Sequence, residues 1–207
     1  MNTETQPEQT TQTSTDTVVS MPTSLKNVCA ADHNRYAING AYLATDGNTG
    51  AAVATNGHML ALLTGLDVEG PPAAAIVPRG CMNTRKAGSR IRIGAERSEC
   101  EGAAGTWSSA DNIDGSFPPF LDVLPDTAGY VTSVTINAAY IKALADALST
   151  GDCPNAVTIH IAKLDKPVYI TGANPNGIGV LMPCSGSDIP ELADVVDRCR
   201  AAAVEVF

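Results

Sequence analysis

The chain has 207 residues and a formal charge of −9, with 44% apolar residues but only 4% aromatic ones. This length can bury one or two cores built on Ala, Val, Ile and Leu, and the acidic surplus excludes a general attraction to nucleic acid, whose phosphates reward Lys and Arg. No apolar stretch reaches the roughly 18 to 20 residues that cross a bilayer, and the N-terminus is polar rather than a charged-then-apolar leader. The six cysteines include no Cys-x-x-Cys pair and no His at metal-ligand spacing. A soluble, unexported, cytoplasmic protein with free thiols, no metal and no cofactor is expected.

Residues 1–22 open with Thr, Gln, Glu and Ser and little to bury, so they read as a disordered tail. Thr23 or Ser24 can cap a short helix in which Leu25, Val28 and Cys29 share one face. From Tyr36 to Leu63 the chain reads strand, turn at Asp46-Gly47-Asn48, strand, turn at Asn56-Gly57, strand. The Asn56-Gly57 pair predicts a tight hairpin, because both residues tolerate positive φ. Asn39-Gly40 carries the same chemistry. Ile76 to Arg79 reads as a strand, Gly80 to Ala87 leaves room for two helical turns at most, and Arg90 to Ile93 alternates as a strand.

Thr132 to Ile136 reads as the next strand. Asn137 then caps a helix with Ile141, Leu144, Ala145 and Leu148 on one face, ending near Gly151. Three strands follow, at 157–162, 167–171 and 177–182, so one helix plus a meander occurs at Ser24 to Leu63 and again at Val134 to Met182. Finally, Asp188 can cap a helix striped by Ile189, Leu192, Val195, Val196 and Cys199. That helix either packs on its own body or serves as a cover or an oligomer contact.

The run Val53-Ala-Thr-Asn-Gly-His-Met-Leu-Ala-Leu-Leu63 places an imidazole beside large apolar side chains just after a turn. It suits the wall of a shallow apolar pocket; alternatively His58 is a satisfied polar group at a sheet end while Met59 and Leu60 are core. None of His33, His58 and His160 stands beside a nucleophile or a paired-carboxylate motif, so catalysis is not expected.

Together with Ser116-Phe-Pro-Pro-Phe-Leu-Asp-Val-Leu-Pro125 and Val180-Leu-Met-Pro183, this run resembles the bacterial sliding clamp, the β subunit of DNA polymerase III. The likeness extends to Arg35-Tyr-Ala-Ile-Asn-Gly40, Ile76-Val-Pro-Arg79 and Ile136-Asn-Ala-Ala-Tyr-Ile141, and spans roughly Ser24 to Pro183. It implies an α+β DNA-clamp fold of repeated helix-plus-antiparallel-sheet units, about one and a half clamp domains: 23–126 as a domain with a shortened second helix, 127–184 as a half domain, 185–207 as a helical extension. It also implies one strand running through Asn39-Gly40, with Gly40 at a close approach or bulge. The chain looks like a minimal clamp reduced to the cleft.

The resemblance further implies a non-catalytic processivity factor that takes an extended partner peptide into an apolar cleft. The cleft positions fall on Ile38, Thr55, Gly57, His58, Met59, Leu60, Pro118, Asp122, Val123, Asn137, Tyr140, Val180, Met182 and Pro183. Two of them depart from the family, where Met59 and Asp122 would each be Arg, and this alters which peptide flanks are accepted. DNA contacts would come from Lys26, Arg35, Tyr36, Arg85, Lys86 and Lys142. The implied partners are a polymerase and other clamp-binding proteins, encircled duplex DNA, a clamp loader and further copies of the chain, in a bacterial or phage-infected cytoplasm. A clamp-fold adaptor or decoy that never encircles DNA is the competing expectation.

Overall fold

The computed structural model describes residues 16–32, 36–82, 89–102, 105–124, 133–149, 156–161, 166–184 and 189–207. The chain divides into two compact units, Met1–Pro125 with Asp194–Phe207, and Asp126–Ala193.

The first unit pairs two antiparallel sheets. One has the order β4-β3-β2-β6, from β2 (Gly40–Thr45), β3 (Gly50–Thr55), β4 (Leu60–Leu66) and β6 (Ala73–Pro78). The other has the order β5-β1-β7-β8-β9, from β1 (Thr17–Met21), β5 (Val68–Glu69), β7 (Ser89–Ile93), β8 (Arg97–Glu101) and β9 (Trp107–Asp111). Each meander borrows a strand from the other half of the unit: β1 pairs with β7, and β6 with β2, both antiparallel. Between the sheets lies a core of small and aliphatic side chains, including Val19, Met21, Leu43, Ala52, Val77, Met82 and Ile91. A core that leans on alanine lets the sheets approach closely and dispenses with aromatics.

Three sequence expectations are corrected here, and two strands come as an addition. The tail expected over 1–22 does not hold for Thr17–Met21, which forms β1 with Val19 and Met21 fully buried; the alternation Thr-Val-Val-Ser-Met has the period of a strand with one buried face. The helix expected after Ser24 is a single turn, with the Val28 and Cys29 amides donating to Leu25 O and Ser24 Oγ accepting from the Lys26 amide. Tyr36–Ile38 is a 3-10 turn rather than strand, and β2 begins only at Gly40. A Cβ on Gly40 would stand 2.4 Å from Val77 O, which makes it the close approach expected. Finally, β8 and β9 were not anticipated. Their exposed face carries Arg97, Glu99, Trp107 and Asp111, and it pairs Arg92 with Glu99, Arg97 with Asp111 and the Arg92 guanidinium with the Trp107 ring.

After Pro78 the chain forms a 3-10 turn over Arg79–Met82; the rest of the short helix expected there lies outside the described residues. Burial pushes the Cys29 thiol up to about 11 and the Cys81 thiol to about 12, so both stay neutral at physiological pH.

The second unit is one helix on a three-stranded sheet. The helix α1 (Ala138–Leu148) starts where expected, with Asn137 Oδ1 accepting from the Ala139 amide at 2.9 Å. Its Ile141, Leu144 and Leu148 pack on Val168, Ile170 and Leu181. The sheet runs β10 (Val157–His160), β11 (Val168–Gly172), β12 (Gly179–Leu181). Residues 133–136 are not a strand; the Cys184 amide donates to Thr135 O and ties them to the chain beyond β12.

The C-terminal helix α2 (Leu192–Val206) belongs, from Asp194 on, to the first unit. It packs through Ala203, fully buried, and Phe207 rather than through Ile189 and Leu192, which are exposed. The expected N-cap at Asp188 lies outside the described residues. Among the described residues no helix is long and apolar enough to cross a membrane.

Candidate functional site: an apolar pocket at the β3–β4 hairpin

The β3–β4 connection is a four-residue loop, not the two-residue turn expected, because Thr55 pairs with Leu60. Its shape comes from side chains. Asn56 Oδ1 accepts from the His58 and Met59 amides at 2.9 and 3.1 Å, Thr55 Oγ1 accepts from the Gly57 amide and donates to Met59 O, and Gly57 takes φ 88°. The β2–β3 loop repeats this design. There Asp46 Oδ1 accepts from the Asn48 and Thr49 amides at 2.7 and 2.8 Å, Thr45 Oγ1 caps Gly47 and donates to Thr49 O, and Gly47 takes φ 94°. Those two amides, Thr49 first, hold the Asp46 carboxyl below its ordinary value.

The loop delivers His58 and Met59 to the surface, and Met59 is 48% exposed. Met59 is therefore not core, whereas half-buried Leu60 packs against the Val53, Phe120 and Ala203 cluster, so the core reading of this run holds for Leu60 alone. Facing them is the Phe117–Val123 stretch. Together Ile38, Thr55, Gly57, His58, Met59, Leu60, Pro118, Pro119, Phe120 and Val123 enclose an open depression of about 390 Å³. The lining is predominantly hydrocarbon, with the His58 ring and the Thr55 hydroxyl as polar groups, a composition that takes up apolar side chains and fixes their direction with few hydrogen bonds.

Of the residues singled out from the sequence, Ile38, Thr55, Gly57, His58, Met59, Leu60, Pro118 and Val123 are thus brought together. Asp122 is exposed in the 3-10 turn Leu121–Val123 and does not line the pocket. Pro119 and Phe120, which line it, were missed although they sit in the same Phe-Pro-Pro-Phe segment. Asn137, Tyr140, Val180, Met182 and Pro183 lie in the second unit. Asn137 is spent as a helix cap, while Tyr140, Val180 and Met182 are 58%, 55% and 62% exposed. Val180 sits between Gly179 and Leu181, which are buried beneath α1, so it projects from the opposite face of its sheet.

Among the residues proposed to touch DNA, Arg35, Arg85 and Lys86 lie outside the described residues. Tyr36 is 60% exposed, Lys26 lies in the single turn after Ser24, and Lys142 pairs with Asp146 one turn along α1 at 2.9 Å. Among the described residues no three His, Cys, Asp or Glu side chains gather as a metal site.

No protein-family model matches the chain, and no curated protein matches it in sequence. Its fold does match solved structures. A sliding clamp (DNA polymerase III subunit beta) from Pseudomonas aeruginosa bound to griselimycin aligns with 90% of this chain and 54% of its own, at 20% identity and TM-score 0.58. The clamp from Bartonella birtlesii bound to griselimycin aligns with 95% of this chain and 59% of its own, at 17% identity and TM-score 0.60. The Helicobacter pylori beta clamp bound to a DNA ligase peptide aligns with 84% and 52%, at 14% identity and TM-score 0.55. The chain spans a little over half the length of these clamps. It has the fold of the bacterial sliding clamps, in a form with about one and a half domains.

Proposed function

We propose that the chain is a non-catalytic, clamp-fold docking subunit that tethers replication or repair proteins, as a processivity factor does, by holding an extended apolar peptide at the β3–β4 pocket. The pocket itself carries this reading: a loop built by its own side chains presents His58 and Met59 opposite a Phe-Pro-Pro-Phe wall around a hydrocarbon-lined space. A solved relative in fold is described as bound to a DNA ligase peptide. The partner's apolar side chains would enter the depression and its polar groups would meet His58 and Thr55. We also propose Tyr140, Val180, Met182 and Pro183 as a peptide-contact surface of the second unit in its own right.

The test is titration of a fluorescein-labelled Gln-Ala-Ala-Leu-Phe peptide. Binding should weaken about tenfold in Leu60→Ala, since a buried apolar anchor is worth on the order of 1 to 3 kcal/mol. No binding at high micromolar peptide, with the fold intact, refutes the docking reading.

A second reading, an adaptor that docks peptides without encircling DNA, is favoured by the electrostatics. The net charge is −9, Lys142 is already paired with Asp146, and the helical segment after Ser24 is only one turn. Retention on circular duplex DNA with a clamp loader present, lost on linearisation, would favour the encircling processivity factor; no retention would leave the adaptor.

A further inference from the structure

One wall of the pocket is not part of any sheet. Ile113 makes the last cross-link, its amide donating to Ile76 O. Among the described residues, the backbone bonds that follow, Val123 to Phe120 O and Leu124 to Leu121 O, are internal to the 3-10 turn. Pro118 and Pro119 have no amide proton to offer a strand. The segment's position therefore has to come from side chains, and those side chains meet α2.

All three phenylalanines of the chain are used there. The Phe120 ring, 7% exposed, stands edge-on to Phe207 at 5.0 Å between centroids and to Phe117 at 6.4 Å, while Phe207 also lies 4.9 Å from Tyr42 on β2. Ala203, one helical turn before Phe207, is fully buried in the same cluster. At the segment's far end the Arg200 guanidinium donates to Leu124 O at 3.1 Å. Arg200, Ala203 and Phe207 follow a spacing of three and four and so share one face of α2. The helix also touches β4, the strand that Leu60 begins, because Thr64 points its hydroxyl at Cys199 Sγ, 3.7 Å away.

We propose that α2 is the positioning element of the pocket: it braces the Phe117–Leu124 wall from behind through Phe207 and Arg200, and so sets the width of the space an apolar side chain enters. The inference rests on the docking reading for its consequence, but the bracing itself is tested separately. A wall held by side chains rather than by a sheet's backbone bonds would widen or close when its brace goes, while the strands beneath keep their own hydrogen bonds.

The experiment uses the full chain with Phe207→Ala, Arg200→Ala and Arg200→Lys, the last keeping a cationic donor. Amide hydrogen exchange is followed at Val123, Leu124 and, as the control, Ile91 in β7, which belongs to the core between the sheets and not to the Phe120–Ala203 cluster, and affinity is measured for the fluorescein-labelled Gln-Ala-Ala-Leu-Phe peptide. Loss of one aromatic contact or one charged hydrogen bond should accelerate exchange at Val123 and Leu124 about tenfold and weaken the peptide by a similar factor. Ile91 should be unchanged and Arg200→Lys should recover most of the loss. Unchanged exchange at Val123 and Leu124 overturns the proposal. Equal acceleration at Ile91 also overturns it, since α2 would then merely stabilise the whole unit. If the unaltered chain does not bind the peptide, the docking reading falls, and the exchange data alone decide whether α2 braces the wall.

Discussion

Replacing Asn56 by Ala removes the acceptor that shapes the pocket's hairpin. In the structure Asn56 Oδ1 takes two backbone donors, the His58 amide at 2.9 Å and the Met59 amide at 3.1 Å. Both bonds are solvent-exposed, so water replaces part of each and the lower end of the range for a protein hydrogen bond applies, about 0.5 kcal/mol apiece. The expected loss is therefore about 1 kcal/mol, roughly a fivefold fall in the folded-to-unfolded ratio. Denaturant unfolding followed by Trp107 fluorescence reads this directly, because the chain's one tryptophan lies on β9 of the same unit, stacked under Arg92. Asn56→Asp should keep the stability, since the twin loop performs the same task with Asp46. An unchanged midpoint in Asn56→Ala, or an Asn56→Asp variant as weak as the alanine, would falsify the account of the loop.

Gly40→Ala should cost about 1 to 3 kcal/mol, because the new methyl meets Val77 O at 2.4 Å and Ile113 Cδ1 at 2.9 Å and β2 must part from β6. Gly80→Ala, where no atom lies within 4 Å of the added Cβ, serves as the control and should stay within about 0.5 kcal/mol by the same unfolding assay. The Asp46 carboxyl is held below its ordinary value in the folded chain, so its contribution to stability is complete above the unfolded value of 3.8 and is lost as pH falls through the folded one. Asp46→Asn should remove that part of the acid dependence, and an NMR titration that places the carboxyl at or above 3.8 contradicts the loop geometry. Leu148→Ala, which truncates a side chain 5% exposed between α1 and its sheet, should lower stability by about 2 to 5 kcal/mol in circular-dichroism melts; a loss under 1 kcal/mol would mean that α1 is not anchored there.

Local chemistry was readable wherever a residue acts on its near neighbours. Asn137 begins α1 because its side chain reaches an amide two residues on, and the stripe Ile141, Leu144, Ala145, Leu148 names the buried face because helical geometry repeats. The β3–β4 hairpin was also legible, since Asn56 and Gly57 carry turn chemistry of their own. Its loop length was not, because that depends on which residues of two strands pair.

What only the tertiary structure decided involves partners distant in sequence. The strand β1 reads as the end of a polar tail until β5 and β7 take its edges, and its buried Val19 and Met21 have value only inside a core contributed by the other half of the unit. Phe120 reads as one more residue of a proline-rich loop. It becomes the braced wall of a pocket because Phe207, 87 positions later by the numbering, folds back onto it. A sequence window can show that a residue is apolar; the choice of which apolar residue covers it is made by the free energy of the whole packed arrangement.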